Sequence, residues 1–302
     1  MAIAGFRFHA TLAAGAGVTA DAPLRDAAAR VALCMVLMGA APGASAQVSQ
    51  ARSADEAAPV ACTELRASGN PQYPPYLWPE NEDGRAGELV GAAAELAQWI
   101  GREVGMPVRM RYIGPWGRVQ QEMRAGNLDA IVGAFFTQAR TEYMDYIHPP
   151  FRETRTVVWI GPRSRLQYQR WSDLQAWRGA TVINNSFGEE FDRYAREKLD
   201  IEQVPSLEQA IQMLQRGRVD YLIYEDSPGE AYLARLGVKG MRQLQPAVAS
   251  EPLYLTLSHR SPCNTPELRG RLQRAMYKFA RERKLMDEFV ARAQLLWRKP
   301  RE

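Results

Sequence analysis

Two segments of this chain, G-N-L-D-A-I-V from Gly126 and G-R-V-D-Y-L-I from Gly217, follow one plan at an offset of 91 positions. Each comes after a segment with helical spacing, opens on a glycine of the kind that stops a helix, and continues as an apolar strand containing an aspartate. A helix, a glycine stop and a strand built twice point to two α/β lobes. Two lobes leave a cleft, and in open α/β sheets a ligand sits outside the carboxyl ends of the strands.

The rest of the chain fits alternating helices and strands. Its 302 residues, 46% hydrophobic and 24% charged, hold enough apolar material for two cores. Leu65 to Ala67 reads as a short strand running into the loop G-N-P-Q-Y-P-P-Y-L-W. Val90, Ala94, Ala97, Ile100 and Val104 make a helical stripe that stops at Gly105. Val108 to Tyr112 is strand-like, and Leu128 to Val132 is a short apolar strand after the helix that ends at Gly126. Ser206 with Gln209 spells a capping box ahead of the helix that Gly217 stops. Asn264, Pro266 and Glu267 start a final helical block carrying Leu268, Leu272, Ala275 and Phe279, expected to pack on the first lobe and so make it discontinuous.

The amino-terminal segment has a different character. Arg25 and Arg30 precede the apolar run V-A-L-C-M-V-L-M-G-A-A-P-G-A, which closes on Ala44-Ser45-Ala46. That is the layout of a cleavable secretory signal, and the run is shorter than the roughly 20 residues a membrane-spanning helix needs. Residues 1–46 are therefore expected to be a signal peptide with an upstream extension, residues 47–60 a flexible leader, and the mature chain a periplasmic protein without a membrane span. Removing residues 1–46 takes away three arginines and two aspartates, so the net charge falls from +4 to +3. This is too mild for a nucleic-acid footprint, and no basic run is interleaved with aromatics. Export also removes Cys34 and leaves Cys62 and Cys263, which in an oxidising compartment suggests one bridge, the alternative being two buried thiols.

Chemistry concentrates between Gly126 and Arg140. Phe135 and Phe136 lie beyond the strand that ends at Val132, Thr137 is a credible helix N-cap, and Arg140 falls at about the third helical position. A cation there opposes the helix dipole by roughly 0.3–1 kcal/mol when exposed. A bound anion reverses the sign, because the arginine and the free backbone N–H groups both favour it. Equally, Arg140 can pair with Glu142 or Asp145 on the surface while the phenylalanines pack in the core.

With these residues in view, the chain resembles the family 3 periplasmic solute-binding proteins, similar to the polar amino-acid receptors of ABC importers. The resemblance rests on Tyr73-Pro74-Pro75-Tyr76, Pro115-Trp116, the run from Gly126 to Gly133, Thr137-x-x-Arg140 and Pro150-Phe151, and covers about residues 60 to 300. It implies an α/β two-lobed flytrap with two crossovers and a ligand cleft between the lobes. Lobe 1 would comprise residues 61–154 and 254–302, lobe 2 residues 155–253. By the same resemblance Arg140 clamps a carboxylate, and Tyr73, Tyr76, Trp116, Gly133 and Phe135 line the first lobe. Ser186 and Phe187 would meet the ligand from the second lobe, and Glu225 or Asp226 would hold an ammonium group. The sequence departs from the pattern at Phe135, where Ser or Thr is usual, at Ala93, where Asp is common, and at Ile183-Asn184-Asn185, which replaces a glycine-containing turn. Aromatic residues in place of small polar ones imply a narrower or more apolar pocket. The expected ligand is a small carboxylate, an amino acid or a related compound.

No metal or cofactor is expected: His9, His148 and His259 lack metal-type spacing, and no G-x-S-x-G, P-loop or Cys/His nucleophile pattern occurs. The leading expectation is a monomeric binding protein that delivers its ligand to an ABC-importer permease and performs no chemistry. The alternatives are a cyclohexadienyl dehydratase on the same fold, acting on prephenate or arogenate, and a soluble sensor for a membrane kinase.

Overall fold

The computed structural model describes residues 62–81 and 87–299. The expected signal segment, with Cys34, and the leader lie outside the described residues.

The first lobe begins with β1 (Leu65–Ser68), β2 (Trp78–Pro79) and β3 (Leu89–Val90), followed by α1 (Ala92–Val104). Val90 therefore belongs to a strand paired with Trp78, and the helical stripe begins after it. Ala94, Ala97, Ile100 and Val104 are all buried, and Gly105 ends the helix at φ 64° with its N–H on the Gly101 carbonyl. Next come β4 (Val108–Met110), α2 (Trp116–Ala125), β5 (Ala130–Phe135) and the single turn α3 (Gln138–Thr141). Strand β5 starts later than its apolar pattern suggests and runs to Phe135, so this phenylalanine is the strand's last residue instead of lying beyond it.

The long strand β6 (Met144–Ile160) leaves the first lobe for the second. There β7 (Arg178–Val182), α4 (Glu189–Lys198), β8 (Asp200–Val204), α5 (Leu207–Gln215), β9 (Tyr221–Glu225), α6 (Asp226–Arg235) and β10 (Arg242–Gln243) follow. Helix α5 takes half of the expected capping box: the Ser206 side chain accepts from the Gln209 N–H at 3.2 Å. Strand β11 (Ala249–Ser258) returns to the first lobe, and α7 (Pro266–Arg281) and α8 (Leu285–Arg298) close it, with Thr265 capping α7.

Among the described residues, one nine-stranded sheet has the order β4-β1-β5-β11-β6-β9-β7-β8, with β10 pairing the end of β6. The triplet β4-β1-β5 is parallel, as is β9-β7-β8, and between them β6 and β11 run antiparallel to each other. These two strands are the crossovers. Helices cover both faces: α1, α7 and α8 bury Leu96, Leu272 and Phe289 on one side of the first lobe, while α2 buries Val119 and Met123 on the other. The second lobe has its own two cores, around Leu207 and Ile211 and around Phe187 and Phe191. Cys62 and Cys263 meet in the first lobe with Cα atoms 5.1 Å apart, within the span a disulfide requires. No described helix is long and apolar enough to cross a membrane.

Candidate functional site

Strands β5 and β9 occupy matching places on either side of the crossovers, and both end at the cleft. Past β5, the Thr137 side chain accepts from the Arg140 N–H at 3.3 Å, which fixes Arg140 at the third position of α3. The arginine is 6% exposed, its Nη1 donates to the Phe135 carbonyl at 2.9 Å, and its guanidinium lies 5.4 Å from the Trp116 ring centre. It forms no ion pair with Glu142 or Asp145 among the described residues. Asp145 faces His259 and Arg269 instead. The surface-pair alternative is thus set aside by burial. The adjacent phenylalanines divide: Phe135 is buried, and Phe136 is exposed against Tyr146 with ring centres 5.0 Å apart.

Tyr73, Trp116, Gly133, Phe135 and Arg140 from the first lobe, with Ser186 and Glu225 from the second, line a single pocket. The space it leaves is small, about 20 Å³, room for one or two waters. Tyr76, Phe187 and Asp226 stay outside the lining. Tyr76 stacks behind Tyr73 at 5.4 Å with Arg152 beside its hydroxyl. Phe187 turns into the second-lobe core, 6.3 Å from Phe191. Asp226 opens α6 and accepts the Ser227 N–H, so of the two acids only Glu225 faces the pocket. Ser186 lines the pocket, but its hydroxyl is held by Asp192, which also accepts the Phe187 N–H.

Asn70, Asn185 and Leu253 complete the lining, and residue-level reading missed them. Asn185 sits in the turn that departs from the family pattern, where Asn184 takes φ 62° in place of a glycine. Leu253 comes from crossover β11, where no local pattern marks a residue as cleft-facing.

Buried polar atoms without hydrogen-bond partners among the described residues converge here: the Tyr73 hydroxyl, Glu225 Oε2 and Asn185 Nδ2. Burial pushes the Glu225 carboxyl up to about 8, and the nearby Tyr73 hydroxyl pulls it down less than burial raises it. The Tyr73 hydroxyl is raised well above its usual range by burial and by the neighbouring Glu225. One guanidinium, one carboxyl and unpartnered hydroxyl and amide groups around an apolar wall can hold a small molecule with a negative and a positive end.

Hydrogen bonds among the described residues join the two lobes, including Trp116 Nε1 to the Asn184 carbonyl at 3.1 Å, the Gln138 N–H to Glu189 Oε2 at 3.3 Å, the Tyr224 hydroxyl to the Gln72 carbonyl at 3.4 Å and Trp297 Nε1 to the Ala231 carbonyl at 2.9 Å. Among the described residues no cluster of His, Cys, Asp or Glu suits a metal ion.

Residues 65–165 match the model for bacterial extracellular solute-binding proteins, family 3. No curated protein matches the sequence. Among solved structures, a mutant of ArgBP from T. maritima aligns with TM-score 0.62 and 17% identity, over 76% of this chain and 96% of that one. The amino acid ABC transporter substrate-binding protein AbpA from Streptococcus pneumoniae, bound to L-arginine, gives 0.62 and 18%, over 79% and 97%. A histidine kinase sensor domain with similarity to periplasmic binding proteins gives 0.65 and 19%, over 76% and 95%. Residues 65–165 thus carry the sequence pattern of that family, and the chain as a whole has the two-lobed fold of these binding proteins.

Proposed function

We propose that this protein is exported to the periplasm, captures a small amino acid or related carboxylate between its lobes, and delivers it as a monomer to an ABC-type importer. The lobes are taken as residues 61–154 with 254–302, and residues 155–253, with Cys62 and Cys263 bridged. The observation that carries this reading is the convergence on one pocket of a buried Arg140 with the Tyr73 hydroxyl, Glu225 Oε2 and Asn185 Nδ2, which have no hydrogen-bond partner among the described residues. Among the described residues this cation has no anionic partner and these polar atoms no partner, and a ligand that supplies both stabilises them. The amino-acid ABC transporter proteins of the same fold support the ligand class and the importer.

A thermal-shift screen with amino acids, dicarboxylates and prephenate tests it, since a native ligand raises the melting temperature by mass action. An amino acid or small carboxylate that binds without being consumed is the expected result.

One observation favours a second reading, a dehydratase on this fold. An acid held up to about 8 in the same pocket as a buried arginine can donate a proton to a bound carboxylate substrate. Steady turnover of prephenate or arogenate, lost in Glu225→Gln, would put this reading first.

A further inference from the structure

We infer that the ligand of this site is a zwitterionic amino acid with a short, uncharged side chain, of the size of glycine, alanine or serine. The inference rests on the amino-acid-capture reading and narrows it by charge, size and the rigidity of the wall.

Charge comes first. The lining contains one basic side chain, Arg140, and one acidic side chain, Glu225. An α-carboxylate and an α-ammonium use both. A ligand carrying a third charge, on an arginine, lysine, glutamate or aspartate side chain, would bury it with no opposite charge in the lining, and an unpaired buried charge is strongly unfavourable.

Size points the same way. With the lobes closed, the pocket leaves room for only one or two waters, about 20 Å³, so a ligand must part the lobes slightly. Each further side-chain atom parts them more, at the expense of the Trp116–Asn184 and Tyr224–Gln72 hydrogen bonds.

The wall cannot retreat instead. Trp116 lines the pocket and donates across the cleft with the same side chain, so moving its ring breaks a closing contact. Phe135 stands at the end of β5 with its carbonyl held twice, by Arg140 Nη1 and by the Tyr146 hydroxyl, each at 2.9 Å. A small hydroxyl residue at Phe135 would open the space that its ring fills. A ring there spends that space on apolar contact, which suits a methyl or hydroxymethyl group and excludes a long polar chain.

The experiment is calorimetric titration of the wild-type mature chain with glycine, L-alanine, L-serine, L-glutamine, L-glutamate and L-arginine, with succinate and prephenate in parallel. The expected result is tightest binding of one of the first three, with glutamate and arginine at least 100-fold weaker. Arginine, glutamate or glutamine binding as tightly as the best small amino acid overturns the inference and leaves amino-acid capture standing. Tight binding by the non-amino carboxylates alone, or by nothing in the panel, overturns both. Phe135→Ser supplies an independent check, with Leu253→Ala as the second wall variant should the first not fold. Either is expected to raise the affinity for glutamine relative to alanine by at least tenfold, and an unchanged ratio in a folded variant overturns the role given to the wall.

Discussion

The two G-x-x-D units differ less in backbone than in what their surroundings do with it. In the first lobe, Asp129 accepts the Arg66 N–H at 2.9 Å and returns its own N–H to the Arg66 carbonyl at 2.9 Å. In the second, Asp220 accepts the Arg178 N–H at 2.9 Å and returns its own N–H to the Arg178 carbonyl at 2.7 Å. The same clasp thus links β1 to β5 and β7 to β9, just where a strand must enter the sheet after a glycine stop. Beyond the clasp they part. The Arg66 guanidinium closes on Asp129 with two bonds of 2.8 Å, and Ser261 from the returning chain donates at 2.7 Å, so Asp129 is buried. Arg178 turns to Glu202 instead, and Asp220 stays exposed. One scaffold has been used twice, and at the cleft it leads to groups of opposite kind, a basic Arg140 after β5 and an acidic Glu225 at the end of β9.

The largest expected effect concerns how differently the lobes are built. The first is assembled from both ends of the chain, and the Cys62–Cys263 pair spans a separation of 201 residues. Chain entropy predicts that replacing both with serine costs at most roughly 5 kcal/mol. Denaturant unfolding should show the loss, and hydrogen exchange should localise it to α1, α7 and α8. Equal loosening of the second lobe would break the contrast.

Next comes the charged pair at the two strand ends. Arg140→Ala should weaken binding of the screened ligand by roughly 2–5 kcal/mol, which is at least tenfold in affinity. Arg140→Lys keeps the charge, loses the planar fork, and should also bind less tightly. Calorimetry that finds affinity unchanged in the alanine variant would defeat the clamp.

Glu225 should behave in the opposite sense in the ligand-free protein. Its carboxyl is raised from an ordinary 4.5 to about 8 by burial. Such a group disfavours the folded state progressively as pH rises between those values, because the unfolded chain ionises first. Glu225→Gln removes this liability, so the variant should gain on wild type across that window, by an upper bound on the order of 3 kcal/mol at pH 7. Binding of an ammonium-bearing ligand should conversely ionise Glu225 and release a proton near pH 7, visible as a buffer-dependent binding enthalpy. Melting curves that stay parallel from pH 4.5 to 8 would contradict the raised acidity.

The sequence made the repeat legible because helix spacing, glycine stops and strand patterns are local. Thr137 as N-cap, Arg140 at the third helical position and the start of α7 at Pro266 all follow from such signals. Which side chains face the pocket is a tertiary property and was only partly visible. Glu225 and Asp226 are neighbours in sequence, and only the point where β9 gives way to α6 decides that the first faces the cleft. Leu253 enters from a strand whose pocket neighbours are all remote in sequence, and Asn185 sits in the turn that stands in place of a glycine-containing one. The resemblance pointed to Ser186, whereas the capture of its hydroxyl by Asp192 six positions later has no local signal.

The smallest effect tests the clasp itself. If the aspartate is required at both places mainly for its backbone bonds, Asp129→Asn and Asp220→Asn should each leave the fold intact, because an amide oxygen still accepts the arginine N–H. They should nonetheless differ in size. Asp129 is buried and holds charged hydrogen bonds from Arg66, so its loss of charge should cost roughly 1.5–3 kcal/mol, the range for bonds to charged groups. Asp220 is exposed, and its change should cost at most about 1 kcal/mol. Burial works to raise the Asp129 carboxyl, but the bonds from Arg66 and Ser261 outweigh it and hold it below its usual value. Its contribution is therefore present above the ordinary carboxylate range and is lost as pH falls through the depressed value, so wild type and Asp129→Asn should converge in acid. Chemical unfolding of both variants at neutral and acid pH decides the matter: equal losses at the two positions would show that the surroundings add nothing to the clasp.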